Sequence, residues 1–121
     1  MEDKAKAQVV WLILNGETEK ALEQLAKDYS VSVPNLEVGL PKKHKKRAFG
    51  CYTARNKTIS VLNSDILKNP FIILHEFYHH LRTTVDQKQK GTEKYADKFA
   101  KDYINAYRQA VSQSETLRKT I

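Results

Sequence analysis

The stretch that most restricts how this chain can fold is residues 69–81, NPFIILHEFYHHL. Four apolar residues run directly into three histidines and a glutamate, groups that are costly to bury unless hydrogen-bonded, paired or bound to a metal. Asn69 suits a helix cap, and Pro70 suits the first helical position, where its missing N–H costs nothing. The spacing predicts a helix over 70–84 with Leu74, Phe77 and Leu81 on its core stripe. Either this segment is a solvated helix end or it is built to hold something.

The flanking sequence changes period twice. Residues 1–30 read as a helical lead-in: KAKAQVVWLILN stops at Gly16, and Leu22, Leu25, Ala26 and Tyr29 then recur at helical spacing. In residues 35–62 the period becomes two. Leu36, Val38 and Leu40 alternate with Glu37 and Gly39, and AFGCYTARNKTISVLN reads as a hairpin of strands 48–54 and 58–62. Asn56 is the residue best suited to a positive backbone angle in its turn. A three-stranded, mostly antiparallel sheet is the simplest assembly. After a polar connection, VDQKQKG, a long helix is expected over 92–111 with Ala96, Phe99, Ala100, Tyr103, Ile104, Tyr107 and Val111 on one face. The pattern fades there, and residues 112–121 read as a tail. At 121 residues the expectation is one α+β domain spanning 1–121.

Charge and cysteine usage narrow the setting. The net charge is +7, and KKHKKR at 42–47 concentrates part of it, a cluster able to meet phosphate or an anionic surface. It holds no aromatic residue to stack on bases, so a solvated loop is expected and nucleic acid is not the expected partner. No apolar run exceeds six residues, too short for a membrane span. The N-terminal patch follows acidic residues and lacks a small-residue cleavage site, unlike a secretory signal. Cys51, the single cysteine, has no intramolecular disulfide partner and reads as a small core residue. A reducing, cytoplasmic location is expected.

The chemistry lies in His75-Glu76-Phe77-Tyr78-His79, an H-E-x-x-H pattern. Four residues advance a helix by about 400°, so both imidazoles project from one face and can converge on one ion, with Zn2+ the expected cofactor. Glu76 is placed to meet a water on that ion without binding the ion itself, a general base's position. His80 points about 100° away from His79 and cannot easily share its ion. No histidine follows His80, so the third ligand is a carboxylate. Glu93 ranks first, in the first turn of the next helix, where small Ala96 and Ala100 allow a close approach. Asp97 ranks second, with a further role available as acceptor for a ligand histidine's N–H. Asp86 ranks third.

HEFYH followed by Glu93-x-x-Ala96-Asp97 resembles the zinc-binding signature of the gluzincin metallopeptidases. The length is similar to that of the minigluzincins, and the likeness covers about residues 35–111. It implies a small zincin-like fold and a zinc-dependent endopeptidase with His75, His79 and Glu93 as ligands and Glu76 as general base. It also implies a peptide or protein substrate laid along a strand such as Phe49–Ala54. A latent form, with Gln113–Ile121 blocking the cleft, and self-association through that segment are further implications. The same residues also fit a non-catalytic, zinc-stabilised regulatory or nucleic-acid-associated module.

Overall fold

The computed structural model describes residues 3–41, 49–85 and 92–120, and for residues 84, 85, 92 and 115–120 the backbone only. The basic cluster Lys42–Arg47 and the third-ranked carboxylate, Asp86, lie outside these residues. The chain forms helices α1 (Asp3–Leu14) and α2 (Thr18–Tyr29), then strands β1 (Asn35–Val38), β2 (Gly50–Thr53) and β3 (Thr58–Val61). A 3₁₀ turn (Ser64–Lys68) leads into α3 (Pro70–Val85) and α4 (Thr92–Thr120). This is a small α+β domain with a long C-terminal helix.

Apolar spacing accounts for most of the packing. Val9, Val10 and Ile13 of α1 and Leu22 and Leu25 of α2 are buried with Ile59 and Val61 of β3 and with Ile73, Leu74 and Phe77 of α3. Ala100 and Tyr103 of α4 close the same core. α1 ends where Gly16 takes φ 79°, letting the Glu17 N–H donate to the Leu12 carbonyl at 2.8 Å.

The sheet corrects the mostly antiparallel expectation. Its order is β1-β3-β2, with β1 parallel to β3 and β2 antiparallel to β3. Burial explains the arrangement. All four residues of β3 are buried, as befits a central strand, whereas β1 is largely exposed and β2 is intermediate apart from Cys51. In the hairpin turn the positive backbone angle falls on Lys57, not Asn56. The Lys57 N–H donates to the Ala54 carbonyl at 3.3 Å, so the left-handed residue follows the turn, as in hairpins closed by a bulge. α4 also runs past the expected end at Val111, to Thr120. Residues 112–120 contain no Gly or Pro to stop a helix, and Ser112, Gln113 and Ser114 are exposed, so the apolar periodicity can fade while the helix continues.

Candidate metal centre

α3 begins as its cap predicts: the Ile72 N–H donates to Asn69 Oδ1 at 3.1 Å, with Pro70 at the first helical position. That start fixes the rotation of the helix. Ile73, Leu74, Phe77 and His80 are fully buried on the core side, while the flank bearing His75, Glu76 and His79 faces a pocket shared with β2 and α4. Ala96 and Ala100, both without exposed surface, let α4 lie close against α3 and bring the first turn of α4 to the histidines.

There the His75 and His79 Nε2 atoms lie 3.2 Å apart. Glu93 spans both, with Oε2 3.2 Å from His75 Nε2 and Oε1 2.7 Å from His79 Nε2. An ion held about 2.0–2.1 Å from imidazole nitrogen at tetrahedral angles keeps its ligand atoms roughly 3.3 Å apart. The two 3.2 Å separations match that spacing, whereas 2.7 Å between Glu93 Oε1 and His79 Nε2 is a hydrogen-bond distance that a bound ion would widen. The three donors lie within 4.8 Å of one another, and among the described residues they form the group able to hold a metal ion.

Asp97, one turn along α4, places Oδ1 2.9 Å from His75 Nδ1. A carboxylate accepts, so Nδ1–H donates, and Nε2 is the nitrogen turned to Glu93 and His79. Burial lowers the His79 pKa against the opposing pull of Glu93, which disfavours an imidazolium there. Two imidazole nitrogens and a carboxylate placed in this way can hold a metal ion.

Glu76 lines the same pocket. The residue is 7% exposed, and burial pushes its pKa up to about 7, with His75 opposing the shift and Glu93 adding to it. The pocket, about 340 Å³, is lined by His75, Glu76, His79 and Thr83 of α3, by Glu93, and by Gly50, Cys51, Tyr52 and Ala54 along β2. The Glu93 side chain is 77% exposed, so the centre opens to solvent.

The expected ligands His75, His79 and Glu93 are thus together, Asp97 contacts His75, and Glu76 borders the same pocket. Cys51 is buried on β2, beside Glu76. Sequence reasoning missed Gly50 and Tyr52. A Cβ on Gly50 would stand 2.7 Å from Ile72 Cγ2 and 3.6 Å from Glu76 Cγ, so only glycine lets β2 approach α3 this closely. The one local signal was a glycine inside a strand pattern, which marks close backbone approach. Comparison of the chain with family models, with curated proteins and with solved structures finds no match to any of them.

Proposed function

We propose that the chain is a zinc-dependent endopeptidase in which His75, His79 and Glu93 hold the ion and Glu76 is the general base. The observation that carries this reading is the convergence of three donor atoms beside a buried carboxyl that is not one of them. Structural zinc sites fill four positions with protein ligands. This group has three members among the described residues, which leaves room for water and substrate.

A bound zinc ion supplies Lewis acidity and a water acidic enough to lose a proton near neutral pH. Glu76 would take a proton from the attacking water and return it to the departing amine. Its burial suits the task, because a base works best with a pKa near the working pH. Asp97 holds His75 in the tautomer that presents Nε2. Among the described residues β2 pairs with β3 alone, and it lines the pocket, so its other edge can add an extended peptide as a further strand.

Latency through Gln113–Ile121 is a weaker part of the reading. Through Thr120 that segment continues α4, and residue 113 lies on the order of 30 Å along the helix from Glu93 at 1.5 Å per residue. It blocks the cleft in cis only if α4 breaks.

The test is metal content and cleavage measured together. Zinc at one equivalent in the parent, lost in His79→Ala, is expected. Glu76→Gln should keep the zinc and abolish cleavage of an unfolded test protein. If Glu76→Gln cleaves as well as the parent, the assigned base is wrong.

A further inference from the structure

The metal centre leaves one histidine of the 75–80 stretch unused, and it is the most deeply buried of the three. His80 has no exposed surface. Its Nε2 lies 2.7 Å from the Ser32 carbonyl oxygen, which can only accept, so Nε2 carries the proton. With the proton on Nε2, the Nδ1 of a neutral ring, 2.7 Å from Tyr52 Oη, accepts from the phenol. The Tyr52 and His80 rings also meet edge to face, with centroids 5.4 Å apart.

One side chain of the metal helix therefore ties down two other segments: the link between α2 and β1 at Ser32, and β2 at Tyr52. An apolar residue at position 80 would continue the core stripe without burying polar atoms. A satisfied buried polar pair adds geometric definition instead. That definition falls where the sheet lacks it. Among the described residues, β2 is hydrogen-bonded along one edge only. Gly50 and Tyr52 share the face turned to α3, by the strand's period of two, and both line the metal pocket. Gly50 lets the strand come close, and Tyr52–His80 fastens it there.

We propose that His80, acting through Tyr52, is a positioning residue that latches the edge strand β2 at a fixed height over the metal centre. This deepens and rests on the peptidase reading: a peptide paired with β2 takes its register over His75, Glu76 and His79 from the latched strand. Loosening the latch leaves the backbone groups of β2 able to pair. What is lost is alignment, which is felt in the transition state more than in ground-state binding.

The experiment compares the full-length parent with Tyr52→Phe, which removes the hydroxyl and keeps the ring. In Tyr52→Phe, amide exchange over Gly50–Thr53 should accelerate about tenfold relative to α1, as expected for local release of one edge strand. Zinc affinity by chelator competition should stay within about twofold, because no donor atom is touched. With an extended peptide substrate, kcat should fall about tenfold while KM stays within about threefold, the signature of misalignment. Nitrogen-15 spectra of the parent should show His80 as the neutral Nε2–H tautomer. Unchanged β2 exchange, unchanged kcat, or an Nδ1–H tautomer would each overturn the latch. A parent that binds zinc and cleaves nothing defeats the peptidase reading instead, and the exchange and tautomer measurements still decide the latch.

Discussion

His75 can present only one nitrogen to the pocket, and Asp97 determines which. With Nδ1–H given to Asp97 Oδ1, Nε2 is held toward Glu93 and His79. Replacing Asp97 by alanine frees the ring to rotate and change tautomer. Because the Asp97 side chain is 47% exposed, its loss should leave the fold intact. The expected outcome is zinc binding weakened about 10–100-fold, read by competition with a chromophoric chelator, with Asp97→Asn retaining most of the affinity because its amide oxygen still accepts. The ligand pair His75 and His79 was legible because four residues make one helical turn, a purely local rule. Glu93 and Asp97 were legible because they open the helix that follows. Tyr52 and Ser32 were not, since their bonds to His80 span 28 and 48 residues of sequence.

Among the elements, β2 is the one whose placement depends on a single missing atom. Gly50→Ala puts a Cβ within 2.7 Å of Ile72 Cγ2, on a β-branched side chain with little freedom to move within a helix. The expected cost is about 1–3 kcal/mol of stability by denaturant titration, as for other overpacked contacts. Ile72→Ala removes the opposing methyl group. Combined with Gly50→Ala it should recover part of the loss, and additive effects in that double-mutant cycle would place the strain elsewhere. The helices were legible at the element scale because caps and apolar spacing are local signals, as at Asn69–Pro70. Strand pairing was not. Leu36 and Val38 show alternation on β1, yet nothing within the strand specifies that it runs parallel to β3, because that partner is chosen by which strand buries both faces. The overrun of α4 has the same cause in reverse: helix propensity persists past Val111, where Ser112, Gln113 and Ser114 are exposed.

At the scale of the whole molecule, α4 links distant parts. Tyr103 Oη meets Tyr29 Oη of α2 at 2.9 Å in the core, and burial raises the pKa of both phenols. A raised phenol pKa means the fold favours the neutral form. Its stability contribution is full below the unfolded value of about 10 and is lost as pH climbs above it. Thermal midpoints should therefore drop more steeply above pH 10 in the parent than in Tyr103→Phe. At its other end α4 supplies Glu93, so metal removal should be felt globally. Zinc in excess stabilises a native-only site by about 2.7 kcal/mol at a hundred times its dissociation constant, and a chelator should abolish that increment. Deleting residues 113–121 separates the remaining roles of the helix. Ser112, Gln113 and Ser114 are exposed, and the deleted segment begins far along α4 from the centre, so the zinc-dependent rise in melting temperature and the cleavage rate should both persist. A rise in cleavage on deletion would mean that the segment occludes the cleft, from its own chain or from a second copy. Loss of the zinc-dependent rise would mean that it completes the coordination, which would make the centre a structural staple and remove the open position that hydrolysis needs.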